Sequence, residues 1–101
     1  MFRRGKRRKT RHLDVFLASS PFAHSRLGLV VPKHKRNSVL RNRLKRRLRE
    51  IGRTVILPRL NECGPPLDLM IRTRPEAYEA TFAALLEELT RLTEELCSRG
   101  E

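Results

Sequence analysis

The amino-acid sequence predicts an α+β fold, a small sandwich in which a mixed sheet packs against helices. Segments of strand and helix character follow one another in the order β, β, α, β, α. A helix that connects two strands implies some parallel pairing within the sheet. Because the 101 residues can enclose one hydrophobic core at most, we expect residues 1–101 to form a single domain.

The first strands are predicted from the alternation of apolar and polar residues. HLDVFLAS predicts a strand over Leu13 to Ser19 that places Asp14 and Phe16 opposite its aliphatic side chains. RLGLVVP predicts a second strand that ends at Pro32, and the turn residues of SSPFAHS between them predict an antiparallel pair. A further strand at about Lys6 to Arg11 would give the sheet four strands instead of three.

The remaining elements are two amphipathic helices and one strand. Ser38 is a suitable N-cap for a helix that runs to about Val55, with Pro58 marking its limit, and NECGPP then predicts a loop. The near-continuous apolar run LDLMIRT is typical of a strand that is covered on both faces. Pro75 suits the first turn of a final helix, whose leucines recur at spacings of three and four and whose outer face is acidic.

The charge of the chain indicates a polyanionic partner. The formal net charge is +12, and most of the acidic residues lie in the last quarter, so the preceding part is more basic than the average suggests. A charge of this size and sign favours nucleic acid as the partner, ahead of an anionic membrane surface.

The cysteines and the lack of a long apolar segment bear on the cellular compartment. Cys63 and Cys97 have neither CxxC spacing nor a histidine in ligand register, so the sequence favours reduced thiols over a disulfide or a zinc site. No stretch reaches the length of a membrane-spanning helix, and Asp14 interrupts the apolar run after the basic N-terminus. We therefore expect a cytoplasmic protein with no membrane association.

The segment NSVLRNRLKRRLREIGR carries the clearest functional signal. On a helical projection at 100° per residue, the apolar stripe lies within about 40° of Leu44 and comprises Leu40, Leu48, Ile51 and Val55. The opposite pole consists of Asn42, Arg46, Arg49 and Arg53, flanked by Arg41, Arg43, Lys45 and Arg47. A solvated helix face usually mixes charges of both signs, whereas this face has only Glu50 to balance it. Arginine forks bind phosphate oxygens, so the face is predicted to bind nucleic acid.

The same segment resembles a known family. RNRLKRRLRE resembles the RNRxKRxxRE signature of the protein subunit of bacterial ribonuclease P. RLGLVVPKH is similar to that family's RxGxxVSKK strand, and DLMIRTR to its D-[VI]-V-[VI]-x-[AP]-R strand. The similarity covers nearly the whole chain in the same order.

The resemblance implies a fold and a division of labour. The fold would be an α+β sandwich like the second domain of ribosomal protein S5, with a left-handed β-α-β crossover against the usual rule. The holoenzyme would be an endoribonuclease whose catalytic RNA subunit, using Mg²⁺ bound mainly by that RNA, removes the 5′ leader from precursor tRNA. The protein would assist by binding RNA, and the sequence shows no side chains arranged for catalysis or metal binding, with His12, His24 and His34 in no catalytic setting.

The resemblance also assigns two binding surfaces. The residues that the resemblance assigns to binding of the RNA subunit are Lys33, Arg41, Asn42, Arg43, Lys45, Arg46 and Arg49, and the helical projection adds Arg53. The residues expected to bind the single-stranded leader of precursor tRNA are Phe2, Phe16 and Arg11. Aromatic faces in a basic groove suit such binding, because bases stack on them without sequence preference. No obligate protein partner is evident.

Three departures from the family pattern affect these expectations. The family usually has about twenty residues before the position of Phe2, so its first helix would be largely missing here. PKHKRNS replaces SKKxGxA and lacks the glycine at the position of Arg36. Asp14 stands where the family prefers an apolar residue, and its carboxylate is expected to repel a leader phosphate.

Two other functions fit the charge and size. A structural RNA-binding protein of the ribosomal type is the main alternative, and a preference for precursor over mature tRNA would separate it from a ribonuclease P subunit. A DNA-binding regulator would need a second helix and a tight turn before the basic helix, or a dimer, and the sequence shows no evident sign of either.

Overall fold

The computed structural model describes residues 6–63 and 66–99. The strands are β1 (Lys6–Lys9), β2 (Leu13–Ser19), β3 (Arg26–Val30) and β4 (Leu67–Thr73), and the α-helices are α1 (Ser38–Ile51), α2 (Leu57–Cys63) and α3 (Phe82–Arg99). A π-helical turn, Gly52–Ile56, joins α1 to α2, and a 3₁₀-helix, Pro75–Glu79, precedes α3. None of the helices in this described part combines the length and apolar character needed to cross a membrane.

The four strands form one mixed sheet in the order β1-β2-β4-β3. β2 pairs antiparallel with both β1 and β4, whereas β3 pairs parallel with β4. The α+β class, the fourth strand and the parallel pair are therefore confirmed. The predicted pairing of β2 with β3 is wrong, because β4 lies between them and its apolar run occupies a central position in the sheet.

The sheet is covered on one face only. Leu69 and Ile71 of β4 are 4% and 0% exposed and join the helices in a single core, while Met70 between them is 47% exposed. The prediction that β4 is buried on both faces is therefore wrong: the strand alternates like a half-buried strand, and Met70 and Arg72 face outward. We call the uncovered side the outer sheet face.

Helix α1 buries the central part of the predicted aliphatic stripe, whereas Leu40 and Val55 are half-buried. Leu44, Leu48 and Ile51 are buried against the sheet. The helix begins at Ser38, but its N-cap is Asn37, whose side-chain oxygen accepts a hydrogen bond from the Leu40 N–H at 2.9 Å. The predicted cap therefore lies one residue too late, and both residues are good cap formers.

The helical path continues past Pro58, contrary to the prediction. Within an α-helix a proline lacks a donor and clashes with the carbonyl four residues earlier. Here the wider π-helical turn precedes it, and the Leu57 N–H donates to the Gly52 carbonyl. The helix then extends to Cys63, so the first part of NECGPP is helical instead of forming a loop.

Gly52 allows this turn to lie close to the sheet. A Cβ atom at Gly52 would lie 2.1 Å from Cδ2 of Leu27 on β3. The final helix is also divided, since the 3₁₀-helix that begins at Pro75 ends at Glu79, and Thr81 then caps α3 by accepting the Ala84 N–H at 3.0 Å. The leucine stripe of α3 is buried in the same core and comprises Leu85, Leu89, Leu92 and Leu96.

The two cysteines form a disulfide, so the expectation of reduced thiols is wrong. Cys63 at the end of α2 and Cys97 on α3 have Cα atoms 5.5 Å apart and are separated by 34 residues. The sequence spacing could not show this pairing, because it depends on α2 extending beyond Pro58 to reach α3.

A partly buried polar contact joins α3 to the turn between β1 and β2. Glu88 accepts the His12 backbone N–H at 3.1 Å, and His12 Nδ1 lies 2.7 Å from its other carboxylate oxygen. Burial raises the pKa of Glu88, but hydrogen bonds from Thr10 and His12 outweigh this effect, so the pKa is lowered overall. The carboxylate form is therefore the one that stabilises the folded chain.

Replacing Glu88 should make stability less dependent on pH. A lowered pKa contributes stability above the ordinary value of 4.5 and loses it as the pH falls through the lowered value. We expect Glu88→Gln to reduce the free energy of unfolding by about 1 kcal/mol near neutral pH, and the difference from wild type to vanish in acid. Urea denaturation across this pH range measures it, and a difference that persists in acid would contradict the assignment.

Removing the disulfide should destabilise the chain without changing its fold. A cross-link over a separation of this length contributes about 2–4 kcal/mol. We expect Cys97→Ser, or treatment of the wild type with reductant, to lower the melting temperature, and reductant to have no further effect on Cys97→Ser. A thiol titration that finds two reactive thiols in the native, unreduced chain would contradict the pairing.

Candidate nucleic-acid interface

The exposed side of α1 is a row of cations without ionic partners. Asn42, Arg43, Arg46 and Arg49 are exposed, as the helical projection predicts. Within residues 6–63 and 66–99, no carboxylate pairs with the following side chains of the helix: Arg43, Lys45, Arg46, Arg47 and Arg49. We call these five the arginine row. Their mutual repulsion is uncompensated in the free protein.

Two predicted RNA-binding residues also make contacts inside the protein. Arg53 donates to Glu50 at 2.7 Å, so its charge is partly compensated. Arg41 is half-buried and donates from Nε to the Val31 carbonyl at 2.7 Å. Arg41 therefore holds the β3–α1 loop against the helix, and only the rest of its guanidinium is available to a ligand.

Lys33 lies in this loop and is exposed just before α1. The loop turns sharply: the Lys33 carbonyl accepts the Arg36 N–H at 2.8 Å, while His34 and Lys35 have φ values of 48° and 67°. Arg36 itself is not among the residues with positive φ, so the glycine that the family carries at this position is not required here. Tyr78 further fixes the loop by donating its hydroxyl to the Pro32 carbonyl at 2.7 Å.

Phe16 lies on the outer sheet face, as predicted, and is 38% exposed. Strand register places it in one row with Arg7 of β1, Met70 of β4 and Gly28 of β3. The Arg7 guanidinium lies 5.6 Å from the centroid of the Phe16 ring. Phe16, Met70 and Gly28, together with neighbouring residues of β2, β4 and β3, line a groove of about 440 Å³ with an apolar floor.

The acids of the outer sheet face are paired with arginines. Asp14 lies 3.1 Å from Arg74 and 3.7 Å from Arg7. Burial raises the pKa of Asp14, but the hydrogen bond from Arg74 and the charges of Arg74 and Arg7 outweigh it, so the pKa is lowered. Since two cations flank this carboxylate, the repulsion of phosphate expected from it is largely offset.

The three predicted leader-binding residues are not brought together in the described part of the chain. Phe2 lies outside the described residues. Arg11 lies in the β1–β2 turn and lines a second groove, between that turn and α3, with Glu87 and Arg91. Phe16 lines the groove on the outer sheet face, whereas Arg11 does not.

Sequence reasoning missed two cations of this face, Arg7 and Arg72. Arg72 is exposed and lies opposite Asp14 in the register of β2 and β4. The alternation of residues within LDLMIRT could have placed Arg72 on the exposed face, but the many apolar residues of this segment made it look like a fully buried strand. For Arg7 the signal was its position in a short edge strand composed only of lysine and arginine.

The acidic face of α3 is engaged within the protein. Glu94 accepts hydrogen bonds from Arg59 at 2.9 and 3.1 Å, and Glu87 accepts one from Arg91 at 3.0 Å. Glu95 pairs with Arg8 of β1. Most of the acids therefore neutralise cations of the β1 edge, α2 and α3 itself, and the arginine row remains without partners on α1. No group of three or more histidine, cysteine or acidic side chains that could hold a metal ion occurs in the described ranges.

Several known proteins are similar to this chain. The family model described as Ribonuclease P matches residues 1–97. The ribonuclease P protein component of Thermus oshimai is 42% identical over 89 residues, which are 88% of this chain and 53% of that protein. The corresponding protein of Syntrophobacter fumaroxidans is 39% identical over 87 residues, 86% of this chain and 71% of that protein.

The fold is also similar to solved structures. The ribonuclease P protein of Thermotoga maritima aligns with a TM-score of 0.73 and 28% identity, covering 90% of this chain and 83% of that one. The Staphylococcus aureus protein aligns with a TM-score of 0.73 at 22% identity, covering 91% and 81%. The chain spans about half the length of the Thermus proteins and more of the others. The match of the family model to nearly the whole sequence shows that the chain belongs to the ribonuclease P protein family.

Proposed function

We propose that this chain is the RNA-binding protein cofactor of a ribonuclease P holoenzyme, an endoribonuclease that removes the 5′ leader from precursor tRNA in the cytoplasm. The arginine row, with Asn42 and Lys33 beside it, binds the catalytic RNA subunit. The groove of Phe16 on the outer sheet face binds the single-stranded leader. The chemistry belongs to the RNA subunit and to the Mg²⁺ that the RNA mainly holds.

The observation that carries this proposal is the arginine row. Among the described residues, the five cations of this row have no carboxylate partner, while the cations of β1 and α2 that lie near α3 are paired with its glutamates. When the arginine row binds a phosphate backbone, the repulsion among its cations is neutralised and counterions are released from the RNA. The row therefore contributes little to the fold and strongly to RNA affinity.

The outer sheet face supports the leader part of the proposal. It combines an exposed aromatic ring, an apolar floor and a rim of five cations against two paired carboxylates. The cations are Arg7, Lys9, Arg26, Arg72 and Arg74, and the carboxylates are Asp14 and Asp68. Such a groove suits a flexible single strand, since bases stack on the ring while phosphates meet the rim.

The ribosomal alternative is not favoured. The family model, the relatives and the solved structures named above all carry the ribonuclease P name. A role in the ribosome would also leave the aromatic groove on the outer sheet face without an explanation. The two surfaces lie on different sides of the fold, which suits simultaneous binding of two RNA segments.

The proposal is tested by leader cleavage with a bacterial ribonuclease P RNA at low, near-physiological magnesium. We expect the wild-type chain to restore cleavage that the RNA alone does not support under these conditions. Arg46→Ala and Arg49→Ala should each weaken binding of the RNA subunit about 3- to 10-fold, and each should lower the slope of the salt dependence by roughly 0.7 to 0.9. Their melting temperatures should match that of the wild type, because both side chains are exposed.

Arg91→Ala is the matched control, because it removes the same charge from the exposed side of α3. It should leave both affinity and salt slope unchanged. An equal loss in Arg91→Ala and Arg46→Ala would mean that total charge, and not the arginine row, determines RNA affinity. Equal stimulation of cleavage by an unrelated ribosomal protein of similar charge would refute the family function for this chain.

Phe16→Ala should impair recognition of the leader more than binding of the RNA subunit. Loss of one stacked base corresponds to about 1–3 kcal/mol, so discrimination between precursor and mature tRNA should fall by about fivefold or more. Phe82→Ala is the control, since Phe82 is 40% exposed, compared with 38% for Phe16, but lies at the start of α3. Unchanged discrimination in Phe16→Ala would show that this ring serves only the packing of the sheet.

A further inference from the structure

The loop between β2 and β3 presents an aromatic stack to solvent. Phe22 is 50% exposed, although it is among the largest apolar side chains of the protein. Its ring stacks on that of His24, with centroids 6.0 Å apart and an interplanar angle of 19°. The Arg26 guanidinium lies 4.4 Å from the centroid of the Phe22 ring. Three groups that stack well on nucleobases are thus assembled at one place.

Hydrogen bonds within the loop hold this arrangement. Ser20 Oγ accepts the Phe22 N–H at 3.1 Å and donates to the His24 carbonyl at 3.0 Å. The next residue, Ser25, is 4% exposed, and its N–H donates to Asn61 Oδ1 at 2.8 Å. The loop is therefore pinned on both sides of the aromatic pair, which reduces the entropy that a ligand must overcome on binding.

Arg26 connects the stack to the groove on the outer sheet face. Its guanidinium donates to both carboxylate oxygens of Asp68, at 2.9 and 2.5 Å, and it also lines the groove that contains Phe16 and Met70. In the strand register, Arg26 lies two strands away from Phe16 and is displaced from it by two residues along the strand direction. With strands about 4.8 Å apart and a rise of about 3.3 Å per residue, the separation is on the order of 12 Å.

We propose that the Phe22–His24 stack is a second base-stacking site for single-stranded RNA, which continues the path of the leader from Phe16 across β4 and β3. This inference rests on the leader-binding role proposed above for the outer sheet face. The strand would place one base on Phe16 and a later base on the stack, and Arg26, which lines the groove and contacts the Phe22 ring, would face its phosphates. Because stacking uses the π-face that every base has, the second site would accept any sequence.

The absence of tryptophan from the chain gives the site a direct test. Phe22→Trp introduces a unique fluorophore at the stack, and Phe82→Trp introduces one on α3 as the control. Each variant is titrated with single-stranded oligouridylates of about 2 and about 10 nucleotides, because the dinucleotide is too short to join two sites separated by about 12 Å and the longer strand is not. Anisotropy of a dye on the RNA reports binding independently. We expect the long strand to quench Phe22→Trp and to leave Phe82→Trp unchanged.

A second variant measures the contribution to affinity. Phe22→Leu keeps an apolar side chain but removes the ring, and should weaken binding of the long strand about fivefold while leaving the short strand unaffected. Phe16→Leu should weaken both, and Phe82→Leu neither. Since Phe22 is half exposed, its replacement should leave the melting temperature near that of the wild type.

Several outcomes would overturn the second site. One is binding of the long strand without a change in the fluorescence of Phe22→Trp. Another is equal affinity of wild type and Phe22→Leu for that strand. A third is that the wild type binds neither strand. Failure of the proposed holoenzyme function would be seen in the cleavage assay, as a lack of stimulation by the wild-type chain. Quenching with no stimulation would support the second stacking site while rejecting the ribonuclease P role.

Discussion

The packing of one side of α1 against the sheet is the interaction on which the rest of the structure depends. Leu44, Leu48 and Ile51 are at most 4% exposed, and they fix the rotation of the helix about its axis. Because the helix is rigid, this rotation also fixes where every cation of the arginine row points. The buried apolar side chains of α1 thus determine the direction in which the exposed cations of the same helix point.

The same one-sided packing creates the second surface. All the buried helix residues join a single core with the inner side of the sheet, so the outer sheet face of the described residues has no helix against it. Acids on that face are paired with arginines, whereas no carboxylate within the described ranges pairs with the arginine row. The two surfaces therefore differ in chemistry: one offers stacking with moderate charge, and the other offers a dense row of charge.

Much of this could be predicted from the sequence, because local patterns determine local structure. Alternation located β2 and helical periodicity identified both the buried stripe and the exposed pole of α1. The position of β4 between β2 and β3 could not be predicted in this way, since strand order depends on contacts between distant segments. The disulfide was missed for a related reason: Cys63 reaches Cys97 only because the π-helical turn carries the helix past Pro58.

The two proposed binding surfaces also differ in how much of each could be predicted from the sequence. The RNR motif lies within one helix, so its exposed positions, among them Asn42, Arg46 and Arg49, could be placed from spacing alone. The outer sheet face combines residues of all four strands, and its cations Arg7 and Arg72 become neighbours of Phe16 and Asp14 only through register. A single strand predicted by alternation gives the direction of a side chain but not the identity of the side chains opposite it.

The composition of β1 affects how the free protein behaves towards other copies of itself. A strand at the edge of a sheet exposes backbone groups that can pair with another chain, and such pairing leads to aggregation. Every residue of β1 is lysine or arginine, so a second copy aligned on this edge would bring cations against cations at each position. The cationic side chains of this edge strand therefore oppose its pairing with a second copy of the chain.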